Sequence, residues 1–108
     1  MSQCDSWFAA IWIGGDEREA VQACREFCKT ASLCVTVTPT TYVFPGGVET
    51  GVCVRALNYP RFPERLEDAM EKVRTLAGWL RTRLCQKSYT IETSTGSEFE
   101  SEMPPAAR

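Results

Sequence analysis

The sequence predicts an α+β domain of the ferredoxin-like type, in which β-α-β-β-α-β elements form a four-stranded antiparallel sheet with both helices on one face. Three observations lead to this fold. Strand-like and helix-like periodicities alternate in that order, the order requires two right-handed crossovers, and 108 residues suit a single hydrophobic core. The first and third strands are expected to be central and the second an edge. An α+β sheet with another strand order is the alternative.

The first strand and the first helix are predicted from residues 6–30. The run "SWFAAIWI" at 6–13 is apolar and precedes two glycines, which is typical of a central strand. Asp16 can cap the following helix, and Glu19 stands three residues later, as in a capping box. Apolar side chains then recur on one helical face up to about residue 30. They are Ala20, Cys24, Phe27 and Cys28.

The next two strands are predicted from alternation and from a turn. Residues 33–44 alternate apolar and polar side chains, and Pro39 within them marks an edge strand or a bulge. The sequence "PGG" at 45–47 is a turn signal, and residues 49–58 form the returning strand.

A long second helix is expected to start near Pro63, which suits a first helical position. Its buried stripe comprises Leu66, Met70, Val73, Ala77, Leu80 and Leu84. The run "SYTIET" at 88–93 is the last predicted strand. Residues 1–94 are therefore assigned to one domain, and the polar, acidic segment 95–108 to a disordered tail.

Composition excludes several chemistries. The chain has no histidine, which removes the commonest general base and zinc ligand. Cys24, Cys28 and Cys34 form the only cysteine cluster. Cys24 and Cys28 share a helical face with Ala20 and Phe27, which indicates core packing instead of a metal site. The glycines before the first helix match no phosphate-loop pattern. We therefore predict no metal, no cofactor and no catalytic residue.

The N-terminal sequence, the apolar pattern and the net charge predict the location of the protein and its affinity for nucleic acids. The N-terminus lacks the features of a signal peptide, and no apolar stretch approaches the length of a membrane span, so a cytoplasmic protein without a membrane partner is expected. Its six cysteines are expected to be reduced there. The formal net charge of −2 argues against general binding to phosphate backbones.

The sheet face away from the helices carries aromatic side chains in this prediction. Phe8 and Trp12 point outward if Ile11 and Ile13 face the helices, and Tyr42 joins them if Pro39 introduces a bulge. Such a face favours a covering element. Either the C-terminal tail, through Phe99, or a second copy of the chain, which would give a homodimer, could cover it. An RNA-binding or single-stranded-DNA-binding module is an alternative use of this face, although the third strand lacks the expected aromatic residues.

The loop "LNYPRFPERLE" at 57–67 is a second candidate surface. Pro60 and Pro63 stiffen it, so that it loses little entropy on binding. We expect Phe62 to pack inward near the helix start, as a structural residue with the two prolines, and Tyr59 and Arg61 to face outward.

Trp79 lies well off the buried stripe of the second helix. It is interpreted either as a flanking core residue or as an exposed aromatic anchor for a partner.

The segment 39–63 resembles one found in small uncharacterised proteins, mostly of phage or prophage type. The resemblance rests on a Thr-x-Tyr strand, a Gly-Gly turn, an acidic residue, a glycine and the hexapeptide Asn-Tyr-Pro-Arg-Phe-Pro. The matching residues are Thr40, Tyr42, Gly46, Gly47, Glu49, Gly51 and 58–63. The family brings no established activity, so the resemblance implies a phage context and no catalytic residue.

These observations lead to one prediction of function and two alternatives. The chain is expected to be a small non-enzymatic phage-type protein that acts by protein–protein interaction with an unknown partner. The first alternative is the nucleic-acid module described above. The second is a small enzyme that uses carboxylates or a thiol.

Overall fold

Five strands form one antiparallel sheet, and two helices pack against one of its faces. The computed structural model describes residues 3–101. Its elements are β1 Phe8–Gly14, α1 Glu17–Cys28, β2 Val35–Phe44, β3 Gly47–Leu57, α2 Leu66–Arg83, β4 Ser88–Thr93 and β5 Gly96–Ser101. The strand order is β2-β3-β1-β4-β5, so that β1 lies in the middle and β2 and β5 are the edges.

The predicted four-stranded ferredoxin-like arrangement is wrong, because the sheet has a fifth strand. β5 pairs with β4 in a hairpin across a two-residue turn, within the segment that the sequence assigned to a disordered tail. Apart from the exposed Phe99, its side chains are polar, so no apolar alternation reveals it. One of them, Glu98, forms a double hydrogen bond with Arg74 of α2, at 2.9 and 2.6 Å. Residues 102–108 of the predicted tail lie outside the described residues.

The core lies between the helices and the inner face of the sheet. Asp16 caps α1 as predicted, since its carboxylate accepts a hydrogen bond from the backbone N–H of Glu19 at 3.0 Å. α2 begins at Leu66, three residues after the predicted Pro63, and its N-cap residue is Arg65. The largest fully buried side chains are aliphatic. They are Ile11, Val52, Val54, Val73, Leu76, Leu80 and Ile91.

The hairpin of β2 and β3 is regular from Phe44↔Gly47 to Val35↔Ala56. Pro39 therefore introduces no bulge and pairs with Val52 on the outermost strand, where a missing N–H is tolerated. Simple alternation places Val35 and Val37 against the core, so Tyr42, at an even number, lies on the opposite face. The predicted bulge is not needed to bring Tyr42 there.

The loop after β3 is held by Trp7 and Asn58. Trp7 is 9% exposed and belongs to the core, and its indole N–H donates to the carbonyl of Glu64 at 2.8 Å. The Asn58 side chain donates to the Asp5 carbonyl at 2.6 Å and accepts from the Glu64 N–H at 2.9 Å. This end of the core is therefore closed by a residue that precedes β1.

Phe62 does not close the core. Its side chain is 69% exposed and lies beside the Tyr59 ring, with 6.2 Å between ring centroids. The Phe62 N–H donates to the Tyr59 carbonyl at 2.9 Å, which makes a turn with Pro60 at its second position. The turn directs Phe62 outward, and Pro63 follows it three residues before α2 starts.

Neither helix of the described residues is long and apolar enough to cross a membrane.

These two aromatic residues are expected to differ sharply in their contribution to stability. Trp7→Ala should lower the free energy of unfolding by about 3–5 kcal/mol, because it empties a core site. Phe62→Ala should change it by less than about 0.5 kcal/mol, as is usual for an exposed side chain. Urea denaturation followed by circular dichroism measures both. A larger loss from Phe62→Ala than from Trp7→Ala would contradict this assignment.

Candidate active site on the open face of the sheet

A groove of about 460 Å³ lies on the sheet face away from the helices, which we call the open face. It lies where β1 ends, β3 begins and the chain passes from α2 into β4. We call it the Tyr42 groove. Its lining residues are Trp12, Gly14, Tyr42, Glu49, Cys85, Gln86, Lys87, Ser88, Tyr89, Thr90 and Phe99.

Tyr42 reaches into this groove from the edge strand across bare backbone. A Cβ built on Gly51 would lie 2.5 Å from Cε2 of the Tyr42 ring, so only glycine leaves room for the ring. The hydroxyl donates to the carbonyl oxygen of Val52 at 2.9 Å, and Ile13 O lies at 3.3 Å. Those two carbonyl groups belong to register partners of β1 and β3. The ring edge therefore packs against the backbone at Gly51, and the hydroxyl group is held by the carbonyl groups of Val52 and Ile13.

The environment keeps the Tyr42 hydroxyl protonated. Burial, and then the neighbouring Cys53, raise the pKa of Tyr42 from 10.0 to about 12; the bond to the Ile13 carbonyl opposes this rise, and Glu49 adds to it. Tyr42 is therefore a hydrogen-bonding and packing group at neutral pH, and not a phenolate base.

Glu49 is the cross-strand partner of Tyr42 in the β2–β3 hairpin. Its carboxylate lies over Gly14, where a Cβ would collide with Glu49 Oε1 and would lie 2.7 Å from Gln86 Oε1. Gly14 and Gly51 are themselves register partners, so two glycines face each other beneath the side chains of Tyr42 and Glu49. The carboxylate occupies space that any other residue at position 14 would fill.

Trp12 forms the next wall of the groove. Its ring meets that of Tyr42 edge to face, with 6.5 Å between centroids and 74° between planes. Its indole N–H donates to Glu92 Oε1 at 3.1 Å. Cys53 is its register partner on β3, and burial raises the pKa of that thiol above 9.0. A second carboxylate thus stands directly behind the aromatic pair.

This combination suits a cationic, partly aromatic ligand. Ring faces and carboxylates both attract positive charge, and the rings add apolar contact area. Within residues 3–101, no group of three or more cysteine, aspartate or glutamate side chains is placed to hold a metal ion.

A larger groove, of about 610 Å³, lies beside Trp7, Tyr59 and Phe62 at the other end of β3. Its one charged lining side chain is Glu64, which Lys72 neutralises in an ion pair at 2.6 Å. That groove therefore offers contact area but no unpaired charged side chain among its lining residues. The smaller Tyr42 groove is the better candidate for a reaction.

The structure separates the candidate residues of the sequence into three places. Trp12 and Tyr42 come together in the Tyr42 groove. Tyr59 and Arg61 lie with Phe62 on the loop after β3, where the Arg61 guanidinium is 5.5 Å from the Phe62 ring centroid. Trp79 lies on α2 and is 42% exposed, yet its indole N–H donates to the Ala23 carbonyl at 3.2 Å, which ties it to α1.

Sequence reasoning missed Glu49, Gln86, Lys87 and Glu92 as site residues. The signal for Glu49 was present in the turn at 45–46, because a two-residue turn pairs Phe44 with Gly47 and hence Tyr42 with Glu49. Gln86 and Lys87 lie in the connection between α2 and β4, and Glu92 lies in β4; their positions follow only from the tertiary fold.

Two solved structures share this fold along almost the whole chain. A phage SAM lyase in complex with S-methyl-5'-thioadenosine matches with a TM-score of 0.66 and 16% identity, over 94% of this chain and 93% of that one. A phage SAM lyase in the apo state matches with a TM-score of 0.65 and 18% identity, over 97% and 98% of the two chains. No family model and no curated protein matches the sequence.

These matches contradict the predicted non-enzymatic interaction module, because the fold that spans this chain is one that an enzyme uses. At 16–18% identity these matches establish the shared fold and assign no role to the residues of the groove.

The raised pKa of Tyr42 predicts a specific alkaline instability. Between pH 10 and 12 the unfolded chain releases the Tyr42 proton while the folded chain keeps it, so the free energy of unfolding falls as pH rises. Tyr42→Phe should show a smaller fall than the wild type, and Tyr59→Phe should behave like the wild type. Urea denaturation at about pH 9 and about pH 11 measures the difference. An equal fall in Tyr42→Phe and wild type would contradict the assignment.

Proposed function

We propose that this chain is an enzyme that cleaves S-adenosylmethionine and releases S-methyl-5'-thioadenosine. The observation that carries the proposal is the cross-strand pair Tyr42–Glu49 beside Trp12, in a groove of a fold shared with phage SAM lyase over nearly the full chain. Of the functions considered from the sequence, this one develops the alternative of a small enzyme that uses carboxylates.

The groove matches the substrate in charge and in size. S-adenosylmethionine carries a sulfonium cation and an ammonium group, and the groove offers the carboxylate of Glu49, with that of Glu92 behind Trp12. The rings of Trp12 and Tyr42 can lie against a sulfonium or a purine. A volume of about 460 Å³ falls within the roughly 300–1,000 Å³ of small-molecule sites.

The reaction needs no proton transfer from the protein. The bond between the sulfonium sulfur and the γ-carbon of the amino-acid chain breaks, and its electron pair goes to sulfur, which becomes the neutral thioether of S-methyl-5'-thioadenosine. The substrate's own carboxylate oxygen bonds to that carbon and closes a lactone. No water is consumed, as the term lyase requires, and the sulfonium and carboxylate charges cancel.

The protein's part is therefore to bind and orient. A protonated Tyr42 and an aromatic neighbour can hold the nucleoside and the sulfur while they lose charge. The carboxylate of Glu49 can hold a cationic part of the substrate in place, so that the flexible amino-acid chain is ordered before it closes.

Purified protein should convert S-adenosylmethionine, labelled in the S-methyl group, to labelled S-methyl-5'-thioadenosine, measured by liquid chromatography. Glu49→Gln and Tyr42→Phe should each lower kcat/KM by roughly ten- to a hundredfold. Glu49→Gln removes the charge that faces the cationic substrate, and Tyr42→Phe removes the hydroxyl group that holds the ring in place against backbone carbonyl groups. Glu71→Gln on the exposed side of α2 and Tyr59→Phe in the loop are matched controls that should keep wild-type activity.

Absence of labelled product with folded wild-type protein would overturn the proposed function. Product formation that is unchanged in both Tyr42→Phe and Glu49→Gln would move the reaction to another site.

Three expectations from the sequence accompany this proposal. The phage context and the cytoplasmic location are consistent with an enzyme that consumes S-adenosylmethionine inside a cell. We also propose that a second copy of the chain binds to the open face and forms a homodimer that leaves the Tyr42 groove accessible. Sedimentation equilibrium measures this oligomeric state.

A further inference from the structure

Two acceptor oxygens stand over the same bare point of β1. A Cβ built on Gly14 would meet Glu49 Oε1 and Gln86 Oε1 as its two nearest atoms. The Gln86 amide orientation is held by its own side-chain N–H, which donates to the Leu84 carbonyl at 3.1 Å. Within the described part of the chain, neither acceptor oxygen receives a hydrogen bond. The pair is thus arranged for a donor that the protein does not supply.

The neighbouring residue, Lys87, supplies the opposite charge. It is exposed, lines the same groove, and forms no ion pair among residues 3–101. It stands next to Gln86 in the chain, at the entry to β4. The part of the groove formed by Glu49, Gln86 and Lys87, which we call its polar corner, therefore presents two acceptors and one cation, and the aromatic residues Trp12 and Phe99 also line the groove.

We infer that this corner recognises the α-amino-acid end of the substrate, with the ammonium group over Gly14 between Glu49 and Gln86 and the carboxylate on Lys87. An α-ammonium and an α-carboxylate form the complementary charge pattern, and both can reach their partners because they share one carbon. A lysine that contacts one carboxylate oxygen leaves the second free to close on the γ-carbon. The adenosine then lies towards Trp12 and Phe99.

This inference rests on the proposed function and refines it to a substrate class. The groove should prefer adenosyl thioethers and sulfonium compounds that carry an amino-acid chain over those that lack one. S-adenosylhomocysteine carries the chain and has no sulfonium to cleave, and S-methyl-5'-thioadenosine lacks the chain. Comparing the two isolates the contribution of this corner.

Isothermal titration calorimetry with both ligands tests the inference on four variants. Lys87→Gln removes the cation, and Gly14→Ala places a methyl group where the two oxygens converge. The nearest atoms to that methyl group are the ends of flexible side chains, so the fold should tolerate it. Lys29→Gln on α1 and Gly78→Ala on α2, where an added Cβ meets nothing within 4 Å, are the matched controls.

Lys87→Gln and Gly14→Ala should each weaken S-adenosylhomocysteine binding by roughly tenfold or more, the usual effect of losing a charge-assisted hydrogen bond. Each should change the Kd for S-methyl-5'-thioadenosine by less than about twofold. Both controls should bind both ligands like the wild type. Melting temperatures establish that every variant is folded.

The outcomes separate the inference from the proposed function. If the wild type binds neither ligand, the proposed function falls and the inference with it. If the wild type binds both ligands, and Lys87→Gln and Gly14→Ala either change neither Kd or weaken both equally, the inference alone is overturned.

Discussion

The candidate site depends on the place where Gly14 of β1 pairs with Gly51 of β3. Because neither of these paired residues has a side chain, the open face has a depression there, and the ring of Tyr42 and the carboxylate of Glu49 lie in it. A side chain at position 51 would collide with backbone as well as with the ring, whereas one at position 14 would displace flexible side-chain ends. Gly51 is therefore needed for the fold of the groove, and Gly14 for its contents.

The two faces of the sheet differ in content: one forms the hydrophobic core with the helices, and the other carries the candidate site. Aliphatic side chains of β1, β3 and β4 fill the face beneath the helices and form the core with α1 and α2. The open face carries the aromatic and acidic groups, and Tyr42 is anchored to carbonyl groups that already belong to the ladder. A functional variant on this face leaves the core packing in place. Loss of the proposed activity in such a variant would therefore indicate loss of a specific contact.

The sequence predicted the elements that have strong patterns and missed those defined by tertiary contact. The apolar run of β1, the capping box of Asp16 and the stripe of α2 all have counterparts in the structure. β5 was missed because a strand whose one apolar side chain is the exposed Phe99 has no apolar alternation; it is held by pairing with β4 and by Arg74. Phe62 was expected inside because it precedes a helix, and Trp7, distant in sequence, fills that end instead.

The same limit explains the error about function. Trp12 and Tyr42 were both singled out as aromatic surface, but a carboxylate beside them changes a docking surface into a polar pocket. Glu49 could have been placed from the turn, and Gln86 and Lys87 could not.

Pro39 on β2 has a consequence for how copies of this chain can associate. Exposed edge strands invite the growth of continuous sheets between molecules, which is a common route to aggregation. β2 is ten residues long and borders the sheet, but proline in its middle interrupts the row of backbone donors that a docking strand would need. Extension of the sheet through this border is therefore disfavoured, and a long, flat hairpin can carry a ligand groove without becoming a template for fibres.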